Sequence, residues 1–223
     1  MLKINKREIK GFIFDLDGTL LDSLGVWKQI DRRFFAKRNM ELPEGYAVAI
    51  AHLGLEGAAE YTIKTYNINE NPDDIIREWT EESIHMYHEE VLLKDNALDL
   101  LIYLKSKDIK LTIATAGNEE LFVPCLIRNG VREYFEGYST VQNAGCNKNS
   151  PDIYLHAVKR LGLKPSEVAV IEDMSVGASC AKEAGCFVIG LADIHHLEEN
   201  NNLKNVSDIY AENYIDLLNI LTR

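Results

Sequence analysis

The 223-residue sequence has no C-x-x-C pair among its four cysteines, no cluster of lysine or arginine and no G-x-x-x-x-G-K-[ST] loop. It also lacks any window near the ~18 apolar residues that a membrane-spanning helix needs. Each absence removes a class of function. Cys125, Cys146, Cys180 and Cys186 fall at irregular spacing, which predicts buried free thiols in place of a zinc site or a disulfide framework. A net charge of -11 with no basic footprint argues against nucleic acid or an anionic membrane surface as partner. The missing phosphate-cradling loop excludes a P-loop kinase. The first ten residues, MLKINKREIK, carry charge with no apolar region behind them, so a cytoplasmic location is expected. With no heptad pattern and no readable apolar edge, a monomer is the default.

What is present is an ordinary globular balance, 46% hydrophobic and 26% charged, in a chain long enough for one core plus a smaller second domain. The stretch Gly11 to Ser23, GFIFDLDGTLLDS, organises it. Four residues suited to a buried strand run into Asp15 and Asp17, and Gly18-Thr19 break the pattern directly afterwards, so both carboxylates are placed where a strand ends. The strand is expected over Lys10–Leu16. From residue 24 to 93 the apolar residues recur at helical spacing, as in Val26, Ile30 and Phe34 or Ala59, Ile63 and Tyr66, with turns at Pro43-Glu44-Gly45 and Asn67–Pro72. This predicts an all-helical insertion, residues 24–93, within a core formed by 1–23 and 94–223. After Lys94, strand and helix patterns alternate as in a parallel sheet with crossover helices. Strands are expected at Leu111–Ala114, Tyr138–Val141, Val168–Ile171 and Cys186–Leu191. Helices are expected at 96–107, 121–129, 150–161 and 175–184. The tail from Asp193 is expected to hold a short strand near Ile209 and a helix from Asn213.

In a parallel sheet, ligands bind outside the carboxyl ends of the strands, so Asp15, Asp17, Thr115, Lys148, Glu172 and Asp173 are brought to one edge. Carboxylates from Asp15, Asp17 and Asp173 are hard oxygen ligands suited to Mg²⁺. Thr115 and Lys148 supply the hydroxyl and the positive charge that a transferring phosphoryl group needs around its oxygens. Each residue also has a plainer reading: Thr115 as a helix N-cap, Lys148 as a solvated loop lysine, Glu172-Asp173 as a strand-end turn. Their order and common placement favour the catalytic one.

DLDGTLLDS, TIATAG, NKNSPDIYL and VAVIEDMSVGASCAKEAG, in that order, resemble the four motifs of the haloacid dehalogenase superfamily, in its subgroup with a helical cap after the first motif. The resemblance implies an α/β, Rossmann-like parallel-sheet core with an inserted all-helical cap. It implies that Asp15 is a nucleophile forming an aspartyl-phosphate and that Asp17 serves as general acid and then general base. By the same resemblance Thr115, Ala116 and Lys148 hold the phosphoryl group, and Asp173 with Glu172 completes a Mg²⁺ site. Asn149 stands where the family usually has proline and Met174 where it often has serine, and neither change removes a catalytic group.

A dehalogenase or a phosphonate-cleaving enzyme is disfavoured because those members lack the second aspartate. A beta-phosphoglucomutase carries a histidine soon after the first motif, a cap arginine and a serine-lysine-asparagine run, which together hold a second phosphate. Here the histidine position is Trp27, no arginine lies between Arg38 and Arg77, and Gly117-Asn118-Glu119 follows Ala116. Hydrolysis of a small phosphorylated metabolite, such as a sugar phosphate, is therefore expected, with a mutase or a non-catalytic metal- and phosphate-binding module as alternatives. Trp27 and Asn118 are added as substrate-binding candidates. Tyr61, Tyr66 and Trp79 are expected in the cap core, and His85 and His88 at its surface.

Overall fold

The computed structural model describes residues 2–50, 53–146, 148–194 and 197–222. In chain order, β1 (Leu2–Ile4), β2 (Arg7–Ile9) and β3 (Gly11–Phe14) precede four helices, α1 (Val26–Lys37), α2 (Tyr46–Ile50), α3 (Gly54–Tyr66) and α4 (Pro72–His85). Then follow α5 (Ala97–Ser106), β4 (Lys110–Thr115), α6 (Glu119–Arg128), β5 (Tyr138–Thr140), α7 (Val141–Ala144), α8 (Asp152–Leu161) and β6 (Val168–Glu172). The chain closes with α9 (Ser175–Glu183), β7 (Phe187–Leu191), α10 (Leu197–Val206), β8 (Ile209–Ala211) and α11 (Tyr214–Leu221). Two compact units result: Met1–Leu24 with Leu92–Arg223, and Gly25–Val91. No helix among the described residues is long and apolar enough to cross a membrane.

The first unit is built on a six-stranded sheet in the order β5-β4-β3-β6-β7-β8, parallel throughout. Strand β3 is central because the chain moves outward from it in both directions, to β4 on one side and β6 on the other. All four of its residues are buried, as a strand covered by helices on both faces requires. Ile13 joins Val168, Val170 and Val188 in a cluster with Tyr154, Ala157 and Leu161 of α8 and Ala178 and Ala181 of α9. Its neighbours Phe12 and Phe14 point to the other face, where Phe14 meets Phe135 edge-on at 5.8 Å. Each such side chain stabilises by roughly 1.5–3 kcal/mol relative to exposure. On either side of the helical insertion the chain pairs with itself, Asp22 N–H donating to the Leu92 carbonyl and Lys94 N–H to that of Leu20, both at 3.0 Å.

Several elements differ from the sequence expectation, among them α7, which takes Val141 from the expected strand Tyr138–Val141. The charged N-terminus forms the antiparallel hairpin β1–β2, turned by Asn5 and Lys6 at φ +45° and +69°; two successive positive-φ residues form the tight turn that matches strand twist. Residues 197–206, within the tail, form α10, whose buried Leu203 joins the sheet cluster. Strand β3 is also shorter than expected, so Asp15 is the first residue beyond it.

The second unit is entirely helical in its described residues. Helix α1 buries Val26, Ile30 and Phe34 along one stripe, with Asp31 and Phe35 beside it. Phe34 packs on Trp79 at 5.4 Å, Phe35 on Tyr46 and Tyr66 at 4.9 and 5.2 Å, and Tyr61 on Tyr66 at 6.5 Å. Helix α4 begins where its sequence directs: Asn71 accepts from the Asp73 amide at 3.1 Å, Pro72 occupies the first turn, and Asp73 and Asp74 face the positive end of the dipole. His85 is exposed and His88 half-buried. Cys125, Cys180 and Cys186 are buried free thiols, and Cys146 is half-buried.

Candidate active site

The apolar run of β3 delivers Asp15 to the carboxyl edge of the sheet, 2% exposed, with its amide donating 3.0 Å to the Ile171 carbonyl of neighbouring β6. Strand β6 ends one residue further on at Glu172, followed by Asp173, which are 0% and 1% exposed. On the other side β4 ends at Thr115, also buried. Lys148 reaches into this group from the loop before α8, pairing with Asp15 and lying 3.2 Å from Glu172 Oε1. Asn147 of the same motif lies outside the described residues.

The turn after β3 depends on Gly18. Its φ of +83° lies in the left-handed region, and a Cβ there would stand 2.4 Å from Asp173 Oδ2. Three partners hold this turn: Lys94 Nζ donates 2.8 Å to the Gly18 carbonyl while pairing with Asp193, Tyr214 Oη donates 2.9 Å to the Thr19 carbonyl, and Thr19 Oγ1 donates 3.1 Å to Asp173 Oδ1. Asp17 is half-buried, and Ser23 Oγ donates to its Oδ1 at 2.6 Å. A second close approach occurs at α9, where a Cβ on Gly177 would stand 2.5 Å from Glu172 Oε1. Met174 precedes α9 without a capping side chain, and the Ser175 hydroxyl instead donates 2.6 Å to Glu199.

Electrostatically the group is crowded. Burial pushes the Asp15 carboxyl well above its ordinary pKa; Lys148 pulls it down, and Glu172 and Asp173 push it up again. Glu172 is raised too, by burial first and by Asp173, against the opposing pull of Lys148. Burial alone would lower the Lys148 pKa, but Asp15 and Glu172 outweigh it and raise it. Carboxylate oxygens of Asp15, Glu172 and Asp173 all lie within 4.8 Å of one another, with one ammonium against three acids. Glu172 Oε1 accepts 2.6 Å from Tyr154 Oη, but Glu172 Oε2 is buried with no partner. A hard divalent cation fits this set: it takes oxygen ligands, balances the surplus negative charge and satisfies the orphaned oxygen.

The remaining candidates divide. Thr115 is not the cap of α6; it accepts 2.9 Å from the Gly117 amide, and Ala116 is exposed in the intervening turn. Asn118 is that cap, accepting 3.1 Å from the Glu120 amide. Trp27 belongs to the helical unit, 48% exposed at the rim of a pocket there. Thr19, Ser23 and Tyr154 lie inside the four motifs, yet the sequence gives no sign that they bond to the site's carboxylates. Lys94 and Tyr214 carry no sequence signal, since they meet the first motif across 76 and 195 positions, and Asp193 pairs with Lys94 there.

Comparison with known proteins agrees with this fold. The family model described as haloacid dehalogenase-like hydrolase matches residues 12–191. A phosphorylated carbohydrates phosphatase of Thermotoga maritima is 26% identical over 215 residues, spanning 96% of this chain and 98% of its own. Hexitol phosphatase A of Escherichia coli is 32% identical, spanning 85% of this chain and 88% of its own. Among solved structures, that of a candidate beta-phosphoglucomutase from Thermotoga maritima superposes with a TM-score of 0.85 over 96% of this chain and 99% of the other, and at 24% identity it speaks to the fold alone. Four ordered motifs, a parallel sheet centred on the first of them and a family match across most of its length show that the chain belongs to the haloacid dehalogenase-like hydrolases.

Proposed function

We propose that the protein is a Mg²⁺-dependent phosphatase that hydrolyses a small phosphate monoester, a sugar phosphate or similar, through an aspartyl-phosphate on Asp15. The observation that carries this reading is the pairing at the end of β3: a buried Asp15 held by Lys148 and faced by Glu172 and Asp173, with Asp17 two residues on. The names of relatives that act on phosphorylated carbohydrates and a hexitol support the substrate class.

Asp15 attacks phosphorus, and the displacement is divided into formation and hydrolysis of an acyl phosphate. Asp17 gives a proton to the leaving alcohol oxygen and later takes one from water, and its bond from Ser23 orients the carboxyl for both transfers. Lys148 supplies a positive charge to the phosphoryl oxygens. Thr115 accepts from the Gly117 amide, which leaves its own O–H to donate to the same oxygens. Amides of the turn at Ala116 complete the anion cradle. Asp15, Glu172, Asp173 and an oxygen of Asp17 would hold Mg²⁺, which when bound would supply the charge compensation that lets an anionic nucleophile and a phosphate coexist.

The test is phosphate release from a panel of phosphorylated sugars, nucleotides and glycolytic intermediates, with Mg²⁺ or with EDTA, beside Asp15→Asn. Mg²⁺-dependent release that disappears in the variant is the expected result. Isomerised sugar phosphate without net release, or no turnover on any ester, would sink the proposal.

A further inference from the structure

The helical unit contains a cavity of about 420 Å³ walled by Trp27, Trp79, Ile50, Leu55 and Ala58, within the usual range for small-ligand pockets. One wall residue breaks the apolar pattern. Asp31, on α1 between Ile30 and Phe34, is 6% exposed. It has no hydrogen bond or ion pair among the described residues, although Arg33, Lys37 and Arg38 of the same helix are all matched to glutamates of the unit. Burial alone raises its pKa to about 6, so near neutral pH it is mostly ionised. A buried carboxylate without a partner is costly, and proteins keep such groups rarely. The indole nitrogen of Trp79, at the same wall, is likewise buried with no partner.

We propose that this pocket is a binding site for a small organic ammonium, whose charge pairs with Asp31 and whose alkyl or aryl part lies against the two indoles. The complementarity is chemical. The carboxylate supplies the counter-charge, the tryptophan faces attract cations through their quadrupole, and the apolar wall accepts carbon but offers a polyol little to bond. A neutral ligand can donate a hydrogen bond to Asp31 but leaves its charge uncompensated. The proposal goes beyond the phosphatase reading and does not depend on it. Two sources share this chemistry, a free amine and an amine-bearing alcohol portion of the substrate.

The chain has two tryptophans, and both line this pocket, so intrinsic tryptophan emission of the whole protein reports on it directly. The experiment titrates the protein at pH 8 with n-butylammonium and, separately, with n-butanol. A saturable emission change at least tenfold tighter for the ammonium is expected, with that preference lost in Asp31→Asn. Trp27→Leu, at an exposed position, is expected to weaken ammonium binding roughly three-fold while Trp79 still reports. Equal response to the two probes, an unchanged preference in Asp31→Asn, or no saturable response overturns the proposal. A parallel assay of p-nitrophenyl phosphate hydrolysis separates the sources. Competition by butylammonium identifies part of the substrate site, and saturable binding without competition identifies a free amine; both outcomes uphold the ammonium site. Failure of hydrolysis with binding intact would count against the phosphatase reading alone.

Discussion

The two units bury acidic groups in opposite ways. At the carboxyl edge of the sheet, Asp15, Glu172 and Asp173 are packed together with Lys148, Tyr154 and Thr19 supplying a cation and donors, from elements widely separated in sequence. In the helical unit, Asp31 is buried alone among apolar residues. A clustered set of carboxylates tolerates burial because Lys148, Tyr154 and Thr19 each bond one of its oxygens and one ammonium offsets part of the charge, and what remains suits a divalent metal. A solitary carboxylate has no such support, and its cost is met only by protonation or by a ligand. Buried charge therefore has a different meaning in the two places: a mutually supported cluster in one, an open demand in the other.

Four changes sharpen this contrast. The largest effect is expected at Asp15. Asp15→Asn is expected to lower phosphate release by about 10⁴-fold or more while leaving butylammonium binding to the helical unit unchanged, measured by release assay and tryptophan emission on the same sample. Lys148→Met comes next. Removing the ammonium leaves the carboxylates uncompensated, an expected loss of about 3–5 kcal/mol in EDTA, partly recovered with Mg²⁺; denaturant midpoints in the two conditions check it. If the two midpoints fall equally, the carboxylates are not a metal site.

The third change concerns pH. Burial raises Asp31 from 3.8 to about 6, so the folded protein binds this proton more tightly than the unfolded chain. The stability this gives is fully present below the unfolded pKa, and it is lost as pH rises through the folded value, a change of about 3 kcal/mol at 1.36 kcal/mol per unit. Asp31→Asn is expected to remove that decline, so the variant is the more stable protein at pH 7 and the two converge near pH 4. Parallel pH curves would show that Asp31 is not buried uncompensated. The smallest effect is expected at Gly177→Ala. A Cβ 2.5 Å from Glu172 Oε1 forces the carboxylate or α9 to shift, for a loss of about 1–3 kcal/mol. Its signature is weaker Mg²⁺ activation with the pH behaviour of Asp31 intact.

The acids at the strand ends and Thr115 were readable from the sequence because each follows a strand signal, whereas Lys148, in the loop before α8, was marked only by its motif. GFIF ends at Asp15, LTIA runs to Thr115, and VAVI runs to Glu172-Asp173; in each case a buried strand gives way to polar residues. Lys94 and Tyr214 were not readable, since a lysine and a tyrosine far from the first motif look like any others until the fold brings them to the Gly18 turn. The hairpin was missed because Asn5-Lys6 lacks the glycine that usually marks such a turn. Helix α10 was missed because ENNNLKNV has weak helical propensity and is held by packing of Leu203. Asp31 was hidden by the helical stripe beside it, since spacing identifies the apolar face but not which polar neighbour that face buries.

By itself the sequence determined the alternation of strand and helix, the place of the helical insertion and the identity of the acids at the strand ends, because these rest on local periodicity and on which residues stop a strand. Tertiary structure alone decided which carboxylate oxygen is left unpartnered, which side chains brace the Gly18 turn and that Asp31 faces a cavity. Those facts depend on distances between segments remote in the chain, and no local pattern encodes them.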